Sequence, residues 1–246
     1  MLLTEGKRFV AFFDILGFSS WVENIGSKEV FTYVRGFLNL MVRASLPESI
    51  VNQDMSVELS KSDIGYINFS DSILFYSVDD SYQCLKTMLK ICGEFMNVVI
   101  CGPSRMLRGA IAHGEFYADP KVNAYVGKAL IDAINLEGDQ EWIGLSLHKS
   151  MEKVKDFDKA KEEHKGYLIE SLVPLKENRK KLLFSINWAN KKYLDVSFNA
   201  MKSIELCHKR GLESLKDNPE ELIKLERRIQ NTKDFLEYYN PEIKFK

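Results

Sequence analysis

Two aspartates in apolar surroundings are the side chains of this sequence best suited to chemistry. Asp14 lies near the end of the mostly apolar segment 8–16, RFVAFFDIL. Asp71 lies in a short polar turn within the apolar segment 64–78. A carboxylate in such surroundings is costly unless a positive group pairs with it. If the first segment neighbours the second in a sheet, the two carboxylates converge on one edge.

Converging carboxylates predict a site for hard divalent cations. Mg²⁺ and Mn²⁺ prefer oxygen ligands, and two ions about 3.5–4 Å apart can activate an attacking oxygen and stabilise a leaving phosphate. Gly17 follows Asp14 and precedes a predicted helix start, where backbone amides bind phosphate. The other interpretation is that these aspartates only cap helices or turns.

The hydrophobic pattern predicts the elements that position these groups. Their order is β-α-β-β-α-β, followed by small elements, a two-stranded ribbon and two charge-rich helices. We therefore predict an α+β fold with a ferredoxin-like βαββαβ core, a C-terminal ribbon and a helical tail. The predicted boundary separates residues 1–188 from a helical extension, 189–246. The segments are strands at 8–16, within 64–78 and at 105–117, helices at 27–46, 81–101 and 127–137, the ribbon at 167–188 and the helices within 190–240.

Composition excludes several classes of protein. The chain has 246 residues, 34 Lys and Arg against 35 Asp and Glu, and 45% hydrophobic residues, which is ordinary for a globular protein and argues against a bulk nucleic-acid binder. Residues 1–148 carry 12 basic and 18 acidic side chains, and residues 149–246 carry 22 and 17. The four cysteines form no CxxC pair, and no apolar run approaches the roughly 20 residues of a membrane helix. We expect a cytoplasmic protein that binds neither membrane nor nucleic acid.

Residues 13–19, FDILGFS, and residues 68–72, NFSDS, are the first two of four sequence blocks that resemble one protein family, the catalytic domains of class III nucleotidyl (adenylate/guanylate) cyclases. They correspond to the family's F-x-D-I-x-G-F-[ST] opening and to its T-I-G-D hairpin. Residues 107–115, LRGAIAHGE, resemble its R-[IV]-G-I-H-x-G-E strand. Gly127 with residues 133–137, AINLE, resembles its G-x-x-V-N-x-A-x-R-L-E helix. The blocks keep the family's order across more than half of the chain.

The resemblance implies a metal-dependent site. Asp14 and Asp71 would ligate two Mg²⁺ or Mn²⁺ ions, assisted by the carbonyl of Ile15. Arg108 is a phosphate ligand or, in the other interpretation, the partner of a nearby acid. The implied phosphate-binding amides are those of Leu16, Gly17, Phe18 and Ser19.

The resemblance also implies a reaction and an assembly. A ribose 3′-hydroxyl of an NTP would attack the α-phosphate in line, releasing pyrophosphate and leaving a 3′,5′-cyclic nucleotide. Two such domains pair head to tail in the family, so a homodimer with sites at its interface is implied. Catalysis would rest mostly on positioning and charge stabilisation.

Four positions depart from the family's pattern. The two base-reading positions are Ile67 and Ala124, neither of which offers a polar group to a purine. The transition-state Asn and Arg of the helix block fall on Ile131 and Asn135.

The altered base-reading positions, with the segments 108–111 and 182–188, make the chain most similar to the bacterial pyrimidine cyclases of Pycsar anti-phage defence, which make cyclic UMP or cyclic CMP and activate a separate effector. We predict UTP as substrate, with CTP second. The alternative, motivated by Ile131 and Asn135, is a dimeric nucleotide sensor or scaffold that has lost catalysis.

Overall fold

The computed structural model describes residues 4–35, 50–51, 57–58, 63–190 and 199–245. Its strands fall largely where apolar and β-branched residues predict them. In chain order they are β1 Thr4–Ile15, β2 Ile50–Val51, β3 Val57–Glu58, β4 Ile64–Phe69, β5 Ser72–Ser77, β6 Leu107–Asp119, β7 Ala124–Val126, β8 Leu145–Leu147, β9 Leu168–Pro174 and β10 Lys180–Ile186.

The helices begin at residues suited to that role. The side chains of Ser81, Asn199 and Asn218 each accept a hydrogen bond from a first-turn amide, which satisfies a donor that the helix itself cannot. In chain order the helices are α1 Phe18–Ile25, α2 Ser27–Tyr33, α3 Tyr82–Cys101, α4 Lys128–Asp139, α5 Phe157–Glu163, α6 Ala200–Leu215 and α7 Pro219–Tyr239, with a 3-10 turn at Met151–Lys153.

Eight of the described strands form one mixed β-sheet, and β2 and β3 form a separate pair. Its strands run in the order β4-β5-β1-β6-β8-β10-β9, and β7 pairs with β6. Strand β1 is antiparallel to both β5 and β6, while β6 and β8 are parallel. The first four strands in this order reproduce the split βαβ arrangement. The predicted α+β class and ferredoxin-like βαββαβ core are confirmed.

Alternate residues of β1 face two different layers. Phe9, Ala11 and Phe13 enter the larger hydrophobic cluster, which includes most of α3. Val10 enters a smaller cluster on the other face, where it meets Ala129 of α4. A strand buried on both sides carries few polar residues. Asp14, at the end of this strand, is therefore the exception that the fold must accommodate.

The ribbon of β9 and β10 is part of the main sheet. Strand β8 joins it to the core by pairing with β6 on one side and β10 on the other. The helices of the tail also pack against the core: the ring of Phe235 in α7 lies 4.6 Å from that of Trp142, and the amide of Ile143 donates to the hydroxyl of Thr232. The domain boundary at residue 188 stays a prediction.

Two predicted segments are described only in part. Of the predicted helix 27–46, residues 27–33 form α2, and residues 36–46 lie outside the described ones. The segment 47–63, which has a weak pattern, contains the short pair β2–β3. In the described part of the chain, no helix is both long enough and apolar enough to cross a membrane.

Substitution of Gly109 by alanine should destabilise the fold. A Cβ atom at this position would overlap the ring of Phe13, which is fully buried and packs edge-on against Phe75 and Phe95. Overpacking of such a core costs about 1–3 kcal/mol. We expect the free energy of unfolding in urea to fall by that amount.

The matched control is Gly138→Ala. A Cβ at Gly138 meets nothing within 4 Å, and alanine is the better helix former by roughly 0.5–1 kcal/mol. This variant should be as stable as the wild type or more so. Equal unfolding midpoints for the two variants would contradict the packing described around Phe13.

Candidate active site

Asp14 and Asp71 lie at the same edge of the sheet, as the sequence predicts. Asp14 pairs with Ser72 on β5, and Asp71 is the second residue of the two-residue turn that precedes Ser72. The amide of Ile15 donates to the carbonyl of Asp71 at 3.1 Å. The hairpin tip is thus hydrogen-bonded directly to the end of β1.

The Ile15 carbonyl, which the resemblance implies as a third metal ligand, stays a prediction that the direction of the Ile15 amide favours. The amide and carbonyl of a strand residue point to the same side of the strand. Because the Ile15 amide points to the turn at Asp71, its carbonyl faces the same neighbour. Two carboxylates and one backbone oxygen therefore come from adjacent positions of β1 and the hairpin.

Arg108 lies opposite Asp14 on β6 and is buried. Its Nε donates to Oε1 of Glu137 at 2.5 Å, with the two side chains 7% and 6% exposed. Its Nη1 donates to the carbonyl of Gln140, also at 2.5 Å. These contacts favour the second interpretation of Arg108, in which it is the partner of a nearby acid.

The electrostatics of this corner raise the pKa of Asp14 to about 6. Burial is the largest cause, and the negative charges of Glu137 and Asp71 add to it. The positive charges of Arg108 and Arg228 oppose the shift without cancelling it. The corner has an excess of negative charge that a cation would neutralise.

The donor set fits one kind of metal site. Among the described residues, no group of three or more His, Cys, Asp or Glu side chains is arranged to hold a metal ion. Two carboxylates and a carbonyl are instead the partial set typical of Mg²⁺, which keeps several waters and binds substrate phosphates. Asp14, Asp71 and Ile15 would hold such ions.

The turn after β1 gives the predicted phosphate site its geometry. Gly17 has a φ of +80°, a left-handed conformation that favours glycine, and it caps α1. The first hydrogen bond of α1 runs from Trp21 to Gly17, so the amides of the first turn have no acceptor within the helix. Of the predicted amides, that of Leu16 donates to the carbonyl of Met106, which leaves Gly17, Phe18 and Ser19.

The two predicted base-reading positions lie far apart in the chain. Ile67 pairs with Leu74 of β5, which in turn pairs with Phe12, two residues before Asp14 and on the same face of the sheet. Its side chain packs against the smaller hydrophobic cluster. Ala124 pairs with Asp119 at the opposite end of β6 from Arg108, roughly 35 Å away at about 3.3 Å per residue. The structure does not bring Ala124 to the acids of its own chain.

The transition-state positions face solvent. Ile131 and Asn135, one turn apart on α4, are both exposed, and Ile134 beside them is 40% exposed. The buried side of the same helix carries Ala133 and Glu137. Ile131 and Asn135 therefore lie outside the buried side of α4, which carries the Glu137 that pairs with Arg108.

Sequence reasoning missed two charged residues of the corner. Glu137 lies in the helix block that resembles the family. Apart from that block, nothing in the sequence indicates that its side chain is buried beside Arg108. Arg228 lies in the tail, and its Nε donates to Oε1 of Glu141 at 3.0 Å. Glu141 is only 3% exposed, so the tail brings a cation to a buried acid, and the charge of Arg228 also acts on Asp14.

Comparisons with known proteins find solved structures of low identity. No protein-family model matches the chain, and no curated protein matches it. The catalytic core of a rhodopsin-guanylyl cyclase with converted specificity, in complex with ATPαS, is 13% identical with a TM-score of 0.49, over 76% of this chain and 98% of that one.

Two further structures match similarly. The guanylyl cyclase Cya2 is 14% identical with a TM-score of 0.43, over 76% of this chain and 94% of that one. An adenylate/guanylate cyclase/hydrolase from Silicibacter pomeroyi is 12% identical with a TM-score of 0.44, over 74% and 96%. At these values the likeness assigns neither a family nor an activity to this chain.

The raised pKa of Asp14 predicts that Asp14→Asn stabilises the metal-free protein at pH 7. A folded-state pKa of about 6 against 3.8 means that the folded protein binds this proton more tightly. Protonation of Asp14 therefore favours the folded state. This contribution to stability is fully present below pH 4 and is lost as pH rises through 6. Because water still screens part of the carboxyl group, we expect a gain of about 1–2 kcal/mol for the variant at pH 7.

The measurement is urea unfolding in EDTA from pH 4 to 8. The stability difference should be near zero at pH 4 and reach its plateau above pH 6. The exposed Asp158 provides the control, since Asp158→Asn should show no such rise. A pH-independent difference for Asp14→Asn would contradict the raised pKa.

Proposed function

We propose that the protein is a metal-dependent nucleotidyl cyclase that converts an NTP to a 3′,5′-cyclic nucleotide and pyrophosphate. The proposal rests on one observation: Asp14, Asp71 and the turn at Gly17 lie at the same edge of the sheet. Two carboxylates beside free helix-start amides form the donor set that a metal-bound triphosphate needs. The first two of the sequence blocks that resemble class III cyclases contain these same residues, and the blocks at 107–115 and 127–137 add further support.

Each residue of the corner has a role in this mechanism. Asp14, Asp71 and the Ile15 carbonyl hold the cations, and the amides from Gly17 to Ser19 bind phosphate oxygens and fix the α-phosphate in line with the 3′-hydroxyl. When bound, two divalent ions supply Lewis acidity to the attacking and leaving oxygens.

Arg108 acts as a positioning residue in this mechanism. Its contacts with Glu137 and the Gln140 carbonyl fix the guanidinium opposite Asp14. From there it lowers the pKa of Asp14 against the effect of burial, which favours the ionised carboxylate that a metal needs. It also prevents Glu137 from standing as an unpaired buried charge.

The substrate we propose is UTP, with CTP second. Ile67 is apolar and packed among apolar side chains, so it offers no hydrogen bond to the polar edge of a purine. A polar base edge left without partners costs about 1–3 kcal/mol per unmade hydrogen bond. The similarity to the pyrimidine cyclases of anti-phage defence supports a signalling role in which cyclic UMP or cyclic CMP activates a separate effector.

We further propose that the active form is a head-to-tail homodimer. In one protomer, Ala124 lies at the far end of β6 from the acids, and Ile131 and Asn135 face outward. The head-to-tail pairing that the resemblance implies would bring these positions of a second copy to the acids of the first. Exposed apolar side chains on the same surface, Ile131 and Ile134 on α4 and Phe69 beside the hairpin tip, fit burial in such an interface.

The alternative is a dimeric nucleotide sensor or scaffold without catalysis. Arg108 is held by Glu137, and Asn135 replaces the family's arginine, so the described corner has no cation free to stabilise the transition state. This alternative predicts NTP binding without turnover. Retention of Asp14 at a buried strand end, where an ionised carboxylate is costly, favours the active enzyme.

Incubation of the purified protein with Mn²⁺ and each of the four NTPs separates these proposals. We expect cyclic UMP, with cyclic CMP second, identified by mass spectrometry. Asp14→Ala and Asp71→Ala should each lower turnover at least a hundredfold, because each removes a ligand of the cations. Asp158→Asn, which removes an exposed carboxylate elsewhere, is the matched control and should leave turnover unchanged. Tight NTP binding without any cyclic product would favour the sensor instead.

A substitution on α4 tests the proposed dimer. Ile134→Glu places a charge in the proposed interface, so we expect monomers in sedimentation velocity and a loss of turnover that high protein concentration partly restores. Ile223→Glu on α7, where the isoleucine is 60% exposed, is the matched control and should leave the dimer intact. A wild-type monomer with full turnover would refute the proposed assembly.

A further inference from the structure

A cavity of about 470 Å³ lies between α1, the segment before β6 and α6. Leu16, Gly17 and Trp21 line it on one side, and Arg105 and Arg210 on the others. We propose that this cavity is a second ligand site, which binds a phosphate monoester of about nucleotide size without a metal ion. Its volume is in the range of small-molecule sites.

The two arginines determine the class of ligand. The guanidinium of Arg105 stacks on the ring of Trp21 at 3.8 Å, and its buried Nε has no hydrogen-bond partner among the described residues. Arg210 is exposed and donates to the carbonyl of Pro103 at the cavity's edge. Guanidinium groups bind phosphate oxygens with paired hydrogen bonds, which favours a phosphate ligand over a neutral one.

The remaining wall suits the body of such a ligand. Hydroxyl and amide groups that can bind a sugar lie beside apolar side chains that can contact a base. Glu213 is the one carboxylate of the described lining, and it is exposed. The polar members are Ser20, Asn24, Ser104 and Ser214, and the apolar ones include Ile25, Met106 and Leu215.

The tail closes the cavity through specific contacts. Asn24 of α1 donates to both the hydroxyl and the carbonyl of Ser214 in α6, at 2.9 and 3.1 Å. Arg210, one turn earlier in α6, donates to the carbonyl of Pro103. Helix α6 is thereby attached on two sides of the cavity, and the space between these contacts is left open to a ligand.

This site is distinct from the corner of Asp14. Asp14 faces the side of the sheet on which α4 lies, together with Arg108 and Glu137. The cavity lies on the α1 and α6 side, and neither Asp14 nor Asp71 lines it. The two sites share only the turn at Leu16 and Gly17.

That shared turn gives the site a consequence for turnover, which rests on the proposed function. A ligand in the cavity would contact Gly17 and the first turn of α1 from the side that faces α6, opposite to the corner of Asp14. The amides of that turn are the ones proposed to hold the triphosphate. Occupancy should therefore change the rate of cyclisation, whereas binding itself requires neither metal nor activity.

Calorimetry in EDTA tests binding, with UMP, AMP and inorganic phosphate as probes. We expect UMP and AMP to bind the wild type and Asp14→Ala equally, and inorganic phosphate to bind more weakly. Arg105→Gln and Arg210→Gln should each weaken binding about tenfold or more, because each removes hydrogen bonds to a charged group. Arg179→Gln, an exposed arginine paired with Asp139 elsewhere, is the matched control.

Tryptophan fluorescence gives an independent readout. Of the three tryptophans, Trp21 lines the cavity, while Trp142 and Trp188 are fully buried. Probe binding should change the emission of the wild type but not of Trp21→Phe. Arg210 is exposed, so Arg210→Gln should fold normally even if Arg105→Gln does not, and circular dichroism checks both.

The outcomes separate this proposal from the proposed function. Absence of binding by all three probes, or binding unchanged in Arg210→Gln, overturns the second site whether or not the protein makes cyclic nucleotides. Metal-free binding that depends on Arg210 supports the site even in a protein without turnover. If turnover is present, UMP should change it in the wild type and not in Arg210→Gln.

Discussion

The buried ion pair of Arg108 and Glu137 is the interaction on which the polar end of the sheet depends. Two side chains only 7% and 6% exposed carry opposite charges at 2.5 Å, and removal of either would leave an uncompensated charge at a cost of about 3–5 kcal/mol. The pair fixes α4 over the end of β6. It also sets the charge that Asp14 meets, since Arg108 lies directly opposite on the neighbouring strand.

Asp14 lies at the end of a strand that is buried on both faces, and the positive charges near it neutralise its carboxylate only in part. Arg108 is shared between Glu137 and the Gln140 carbonyl, and Arg228 pairs with Glu141, so neither cation is paired with Asp14 alone. Burial is the largest cause that raises the pKa of Asp14 to about 6, and the negative charges of Glu137 and Asp71 add to it. A corner with complete internal pairing would have no affinity for a divalent ion, and this corner retains an excess of negative charge.

The sequence predicts those parts of the structure that have a local pattern. Asp14 lies near the end of an apolar strand and Asp71 in the polar turn of an apolar hairpin, so the two converge once that strand pairs with the hairpin, as β1 and β5 do. The partner of Arg108 is 29 residues away on a helix, and its burial depends on how α4 docks. Strand β8 pairs through three residues, too few for a periodic pattern, so the entry of the ribbon into the main sheet was not predicted. The cavity depends on the docking of α6, which only tertiary packing decides.

The charge split between residues 1–148 and 149–246 has a structural explanation in the tail. Arg227 and Arg228 of the basic part both pair with Glu141 of the acidic part, and Glu141 is 3% exposed. Buried pairs are screened little by salt, unlike exposed ones. Part of the basic excess therefore attaches the tail to the core within one chain. Another part, Arg210, lines the cavity beside the Gly17 turn. Of the tail's basic residues, Arg228 also acts on the candidate site, since its positive charge lowers the pKa of Asp14 against the effect of burial.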